Sequence, residues 1–380
     1  MKFTAKTLYG LEGVLAQELR ELGAAEVTEV NRAVTFTGSK ELLYKVNYCS
    51  RCALSVLVVV SEFTIRSKDD LYRKSSRIEW SGIMDADTAF SVVPVVHSEL
   101  FGHTGYPALV LKDAIADYFR DRFNRRPSVD TRDPDLIVNL HISNDRVVIS
   151  IDSTGSPLFK RGYRKLQGPA PLNEVLAAGL LLLSGWKPGI ALYDPMCGSG
   201  TILIEAGLMA CNIAPGSFRK SFGFMKWRDY DASLFSRVKN DTDLLRKGPE
   251  TNISGSDISL QAAGQSEENI SSAGLSEYIK VRQLDMKEAH MPDQGGYLIF
   301  NPPYGLRIKP EEITDLYKMI GSALKHNFPG CKAWIIIPGK ELMNHVGLKP
   351  KVRYQLYNGS IECIFAGYEL YEGSRRLKSP

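Results

Sequence analysis

The sequence predicts an α/β protein in three pieces, two small α+β units followed by a doubly wound parallel sheet. Three observations carry this expectation. Residues 1–65 run strand, helix, strand, strand, helix, strand, the split βαβ order of a ferredoxin-like unit. Residues 66–152 mix two helices, the first amphipathic, with three strands. From about residue 170, β-branched apolar runs alternate with helical stretches, the rhythm of parallel strands joined by crossover helices. A chain of 380 residues is long enough for two or three domains.

The elements follow in order. Phe3 to Thr7 reads as a strand, and Gly10 to Leu22 as a helix with Leu11, Val14, Leu15, Leu19 and Leu22 on one stripe and Gly23 at its end. Glu26–Val30 and Ala33–Thr37 read as strands around an Asn31-Arg32 turn, Lys40 to Tyr48 as a helix, and Ala53 to Phe63 as a β-branched strand. Helices are then expected over Lys68 to Ile78 and Tyr106 to Phe123, and strands over Ala89–Val96, Asp135–Ser143 and Arg146–Asp152, the last two joined at Asn144-Asp145. Asp152 to Pro157 is polar and turn-rich, a boundary. The parallel sheet draws on Ile190–Tyr193, Asn252–Ser256, Ile279–Arg282, Tyr297–Phe300 and Ala333–Ile337, closed by a hairpin over Val352–Tyr357 and Ile361–Glu369. Residues 215–245 read as an irregular basic and aromatic insertion.

Composition narrows the class. The chain is 44% hydrophobic and 24% charged, the balance of a globular protein rather than a disordered one. No apolar run approaches the ~18 residues of a membrane span, and the opening residues lack the apolar core of a signal peptide. Six cysteines are too sparse for a disulfide scaffold and suit a reducing, cytoplasmic setting. A net charge of +4 is a weak pointer to a polyanionic partner. Local clusters matter more: Arg120 to Arg132, Lys160 to Lys165 and Arg219 to Arg228, each interleaved with aromatics.

Chemistry gathers at the ends of the parallel strands. Ile190 to Thr201 is a buried strand, an acid at Asp194, a tight turn with Gly198 and Gly200, and a helix start. Those glycines let the backbone approach a ligand, and Asp194 can accept from an ammonium group. Neither the third glycine of a dinucleotide fingerprint nor the lysine of a P-loop is present. A second strand ends at Asp257, where this architecture places a ribose diol, and a third is followed by Asp285, which can read an adenine amine. The fourth ends in Asn301-Pro302-Pro303-Tyr304. Two prolines hold their carbonyls in a rigid outward array. The Asn301 side-chain oxygen and the Pro302 carbonyl can then accept both hydrogens of an exocyclic amine, which frees the nitrogen lone pair for a methyl group. Tyr304 supplies a face for the base to stack on.

Together, Asp194-Pro195-Met196-Cys197-Gly198-Ser199-Gly200-Thr201, Asp257 and Asn301 to Tyr304 resemble a class I S-adenosylmethionine-dependent amino-methyltransferase. More narrowly, Phe159 to Arg164, Ala170 to Glu174 and Ala214-Pro215-Gly216 are similar to THUMP-domain RNA guanine-N2 methyltransferases of the bacterial large-subunit rRNA type. The resemblance covers essentially the whole chain. It implies a ferredoxin-like N-terminal domain over 1–65, a THUMP RNA-binding domain over 66–155 and a Rossmann-like methyltransferase domain over 160–380. It implies S-adenosyl-L-methionine as cofactor, S-adenosyl-L-homocysteine as product, no metal, and the N2 amine of a guanosine in 23S rRNA as acceptor.

Under that resemblance Asp194, Gly198, Gly200 and Thr201 would hold the methionine end, Asp257 the ribose and Asp285 the adenine, while Glu174 would help to close the methionine pocket. Asn301, Pro302, Pro303 and Tyr304 would hold the guanine. Arg161, Tyr163 and Arg164 would lie where RNA enters, with Arg120, Arg122, Arg125 and Arg126 on the THUMP surface. RNA is the implied partner, rRNA first and tRNA second, with no membrane and no obligate protein partner. Ala263 to Asn269 departs from similar sequences, which carry an Ala-Arg pair there, and reads as a helix face rather than a ligand contact.

Other sites carry less. Cys49-Ser50-Arg51-Cys52 has no second ligand pair for zinc, the six histidines show no metal spacing, and Cys197 reads as packing rather than as a nucleophile. No cysteine flanks Asn301–Tyr304, which stands against carbon methylation of a pyrimidine. A tRNA guanine-N2 enzyme of the same build is the alternative. A DNA adenine-N6 enzyme shares the Asn-Pro-Pro-Tyr logic but not the N-terminal modules. A non-catalytic ribosome-assembly factor would not need Asp194, Gly198, Gly200, Asp257 and Asn301 intact.

Overall fold

The computed structural model describes every residue except 167–170, 249–250, 292–294, 305–309 and 372–380. The chain divides into two compact units. The first comprises Met1–Thr7, Ala16–Leu158 and Arg219–Asn240, and the second Leu8–Leu15, Phe159–Phe218 and Asp241–Pro380.

In the first unit β1 (Lys2–Lys6), β2 (Ala25–Val30), β3 (Ala33–Thr37) and β4 (Ser55–Thr64) are joined by α1 (Glu12–Leu22) and α2 (Lys40–Cys49). They pair in the order β2-β3-β1-β4, that of a ferredoxin-like fold. Next come α3 (Lys68–Ser75), β5 (Phe90–His97), α4 (Tyr106–Phe123), β6 (Leu136–Ser143) and β7 (Arg146–Asp152). The two α+β pieces read from the sequence share one seven-stranded sheet, β2-β3-β1-β4-β7-β6-β5. The reason lies in β4. It is ten residues long, and β1 covers only Ser55–Val58, while β7 pairs antiparallel along Leu57–Thr64. An unpaired β-branched edge of that length invites aggregation, and β7 removes it.

In the second unit α5 (Glu174–Leu183) precedes β8 (Leu192–Asp194) and α6 (Thr201–Ala210). The insertion is more ordered than expected. Two 3₁₀ turns, Pro215–Phe218 and Gly223–Lys226, lead into α7 (Ala232–Asp243). Its aromatics from Phe222 to Phe235 belong to the first unit, where Phe224 stacks on Tyr44 at 4.4 Å and Phe235 meets Tyr48 edge-on at 6.1 Å. Spacing alone did not reveal this helix, because what stabilises it is burial of Phe235 and Val238 against distant partners.

The chain continues with β9 (Ile253–Asp257), α8 (Leu260–Ser272), β10 (Ile279–Gln283), β11 (Tyr297–Phe300), α9 (Pro310–Asn327), β12 (Lys332–Pro338), α10 (Lys340–His345), β13 (Val352–Asn358) and β14 (Ile361–Glu369). The sheet order is β10-β9-β8-β11-β12-β14-β13, parallel from β10 to β12 with β14 antiparallel to β12. From β8 the chain winds outward to β10, then returns to place β11 on the other side of β8. That reversal opens a crevice at the carboxyl ends of β8 and β11, where open α/β sheets bind ligands. Leu298, Phe300, Ile335 and Ile337 pack fully buried behind it and fix the strand ends.

Candidate active site

Asp194 is the last residue of β8 and is 1% exposed. Its Oδ1 accepts from the Met196 N–H at 3.0 Å. Burial pushes its carboxyl well above the usual range, and the Asp257 charge adds to this. No Lys, Arg or His forms an ion pair with it among the described residues. A buried carboxylate without a cation is costly, and an incoming ammonium group would relieve that cost. The turn beside it is tight. Gly200 caps α6 with a φ of +81°, and a Cβ there would lie 2.3 Å from Ser266 Oγ, so only glycine fits without a shift.

Asp257 ends β9 and ties the second strand to this turn. Its Oδ2 accepts from the Gly198 N–H at 3.0 Å and its Oδ1 from the Ser259 N–H at 2.9 Å. A cleft of about 270 Å³ opens here, with Asp194, Gly198, Thr201, Gln261, Gln265 and Asn301 among its walls. Gly200 and Asp257 support that wall from behind. Asp285 is half-buried beyond β10, its Oδ1 accepting from the Lys287 N–H at 3.0 Å. Glu174 lies instead in a neighbouring cleft of about 410 Å³, which shares Pro171 and Leu172 with the first.

Ala263 to Asn269, read as a helix face rather than a ligand contact, is a helix face in α8, but one that reaches the cleft at Gln265 and the cofactor turn at Asn269. Gln261, Ala262 and Gln265 of α8 line the cleft. Asn269 is buried, accepts from the Lys165 and Leu166 N–H groups at 2.9 and 3.0 Å, and donates to the carbonyls of Leu166 and Ser199. A polar residue on the buried stripe Ala263, Ser266, Asn269, Ile270 was the available signal.

Asn301 and Tyr304 follow β11 on the other flank of the crevice. Asn301 lines the cleft, and its buried Oδ1 has no hydrogen-bond partner among the described residues. A buried orphan acceptor calls for a ligand donor. Pro302 is buried, and Pro303 and Tyr304 are half-buried. The Tyr304 hydroxyl accepts from the side chain of Asn358.

Of the residues read as an RNA entrance, Arg161 and Tyr163 are interior and Arg164 is half-buried. Arg161 and Tyr163 are each 1% exposed. Arg161 Nε and the Tyr163 hydroxyl meet Glu205 Oε1 at 3.4 and 3.1 Å, and burial raises the Tyr163 phenol well above its usual range. Arg164 donates to Glu174 Oε1 at 2.9 Å, to the Leu172 carbonyl at 2.9 Å and to Thr201 Oγ1 at 3.0 Å. Burial raises the Glu174 carboxyl, with Arg164 opposing the shift. These three residues form a strap that holds the starts of α5 and α6, and the buried Arg161 and Tyr163 offer RNA no surface. Their alternation of charge and aromatic looked like a contact face because a buried polar lattice uses the same residue types.

The other arginines are exposed, but three are engaged by acids: Arg120 with Asp117, Arg122 with Glu79, and Arg125 with Asp87. Arg122 also stacks on Tyr118 at 4.2 Å, and Arg126 is exposed. In the third basic knot, Arg219 donates to the carbonyls of Ser156 and Pro157, at 2.6 and 2.9 Å, and is structural. Glu18 satisfies the Ser50, Arg51 and Cys52 turn, and no metal-binding group of His, Cys, Asp or Glu gathers among the described residues. Cys197 is buried, which pushes its thiol well up, as a packing residue requires. No described helix is long and apolar enough to cross a membrane.

The family pattern of the RMKL-like methyltransferase domain matches residues 161–366, that of the RlmL ferredoxin-like domain residues 2–57, and that of the THUMP domain residues 66–152. A Synechocystis sp. protein provisionally named an RNA methyltransferase is 38% identical over 97% of each chain. Ribosomal RNA large subunit methyltransferase K/L of Syntrophotalea carbinolica is 36% identical over 98% of this chain and 54% of its own, so the chain spans about half the length of that relative. The solved structure of SMU.472, described as a methyltransferase complexed with SAH, superposes with a TM-score of 0.88 at 29% identity, over 99% of both chains. With a class I sheet, an acid and a glycine turn at its switch point, and these relatives, the chain belongs to the RMKL-like methyltransferase family.

Proposed function

We propose that the protein transfers the methyl group of S-adenosylmethionine to the exocyclic N2 amine of a guanosine in large-subunit ribosomal RNA. The observation that carries this reading is the pairing of two unmet needs in one cleft. Among the described residues, Asp194 is a buried carboxyl without a cation, and Asn301 Oδ1 is a buried acceptor without a donor. The first suits the ammonium of the cofactor's methionine end, the second the hydrogens of an amine.

When bound, the cofactor supplies an electrophilic methyl on sulfur. Asp194 would neutralise the ammonium, the Gly198–Gly200 turn would admit the ligand against the backbone, and Asp257, at the end of the neighbouring strand, would receive the ribose hydroxyls. Asn301 Oδ1 and the Pro302 carbonyl accept the two amine hydrogens and localise the nitrogen lone pair. Transfer then needs in-line approach and exclusion of water rather than a covalent enzyme intermediate. Residues 160–380 supply this chemistry, while 1–65 and 66–155 provide phosphate and shape contacts, with Arg120, Arg122, Arg125 and Arg126 in reach of the backbone. Exposed ion pairs such as Arg125 with Asp87 are weak enough to be exchanged for a phosphate.

The rRNA acceptor is favoured by the names of the K/L relatives and by the THUMP pattern. Purified protein should be incubated with labelled cofactor and with rRNA or tRNA from cells lacking its gene, and the nucleosides then analysed by mass spectrometry. Labelled N2-methylguanosine in large-subunit rRNA is expected. Label in tRNA alone would move the substrate, N6-methyladenosine would overturn the guanine assignment, and methyl on a ring carbon or ribose would overturn the amine assignment.

A further inference from the structure

The strands that close the sheet reach back to the substrate side. β14 runs antiparallel to β12 with Cys363 opposite Pro338, the last residue of β12. Its first residues, and the turn that feeds it, therefore stand past the carboxyl ends of the parallel strands, the edge that carries Asp194 and Asn301. The turn is tight, since Asn358 pairs with Ile361 across Gly359 and Ser360, and Gly359 has a φ of +63°. From its first corner the Asn358 side-chain amide donates to the Tyr304 hydroxyl, and Cys363 Sγ approaches the same oxygen at 4.0 Å.

Tyr304 is thus fixed at both ends. Its backbone follows two prolines, whose φ values are locked, and its hydroxyl is held by the hairpin. A stacking platform gains affinity when its plane is set before the base arrives, because less rotamer freedom is lost on binding. We propose that Asn358 is a positioning residue for the target base, acting by holding the Tyr304 ring in its stacking plane. This rests on the reading of Tyr304 as the base platform, and it gives the C-terminal hairpin a part in substrate binding.

The test compares wild type, Asn358→Ala, Tyr304→Phe and the double variant, with Tyr304→Ala as reference. Single-turnover methylation of rRNA is followed against RNA concentration at saturating cofactor, and S-adenosylhomocysteine affinity is titrated separately. Asn358→Ala should raise the RNA concentration for half-maximal rate about tenfold, with little change in the saturated rate or in S-adenosylhomocysteine affinity. Tyr304→Phe should be at least as impaired, and the double variant should be no worse than Tyr304→Phe, since both changes remove the Asn358–Tyr304 hydrogen bond. Additive losses in the double variant, or a wild-type Asn358→Ala beside an impaired Tyr304→Ala, would overturn the positioning role and leave the base platform standing. An unimpaired Tyr304→Ala would remove the platform itself.

Discussion

At the scale of single residues, the two flanks of the crevice should separate cleanly. Asn301→Ala removes an acceptor used only while the base reacts, so S-adenosylhomocysteine affinity should hold. The single-turnover rate should fall about a hundredfold, close to the cost of removing one preorganised transition-state partner. A wild-type rate would show that the amine is not held there. Asp194 should respond to pH instead. Its carboxyl is raised above the ordinary ~3.9, so the folded chain keeps a proton that the unfolded chain has released. Across the window from that ordinary value to the raised one, stability falls as pH rises. A cationic ligand favours the ionised form, so S-adenosylhomocysteine binding should release a proton in mildly acidic buffer and tighten as pH rises. Asp194→Asn should abolish the release, weaken binding, and make the ligand-free protein more resistant to heat at neutral pH. Calorimetry in two buffers of different ionisation heat measures the first effect. Equal apparent heats would show that no proton is released and that Asp194 does not ionise on meeting the ligand.

At the scale of elements, the strap from Arg161 to Arg164 is the feature whose role differs most from its composition. Arg161 and Glu205 are both buried, at 1% and 0% exposure. Removing one partner strands a charge in the interior, so Arg161→Ala should destabilise the fold by about 3–5 kcal/mol in urea unfolding. Adding Glu205→Leu should recover much of the loss, because the pair then leaves together. A variant of full stability but weakened RNA binding would return Arg161 to the surface role its sequence suggests. Asn269 works in the same way, joining the strap to the carbonyl of Ser199 in the cofactor turn.

At the scale of the whole molecule, the two units are not contiguous in sequence. Leu8–Leu15 belongs with the methyltransferase sheet, and a Cβ on Gly179 of α5 would lie 2.5 Å from Leu11 Cδ1, so the leucine sits directly on that helix. Arg219–Asn240 belongs with the first sheet, where Phe222, Phe224 and Phe235 cluster with Tyr44. A fragment of residues 160–380 therefore lacks one core segment and carries another without its partners. It should bind the fluorescent dye anilinonaphthalenesulfonate and unfold below the full chain's temperature. Leu11→Ala in the full chain should cost about 2–5 kcal/mol, as for other buried leucines. A soluble fragment with undiminished melting temperature and cofactor affinity would show that neither segment matters to the catalytic sheet.

The sequence by itself determined the alternating elements, the ferredoxin-like order, the parallel sheet and the candidate ligands Asp194, Asp257 and Asn301, because periodicity and strand-end motifs are local. Turn chemistry is equally local, and Asn144, Asn124 and Gly200 all adopt the positive φ their positions require. Only the tertiary structure decided which polar residues face inward. Arg161 and Arg125 are the same residue type in similar basic runs, yet one is interior and the other exposed. Burial of an arginine depends on a carboxylate such as Glu205 arriving from another helix, and no local pattern encodes that meeting. The same holds for β4 bridging two sheets into one, for Asn358 reaching Tyr304, and for the aromatic insertion finding Tyr44. Each joins residues far apart in the chain, whose pairing is set by complementary surfaces and by the need to leave no buried polar group or strand edge unmatched.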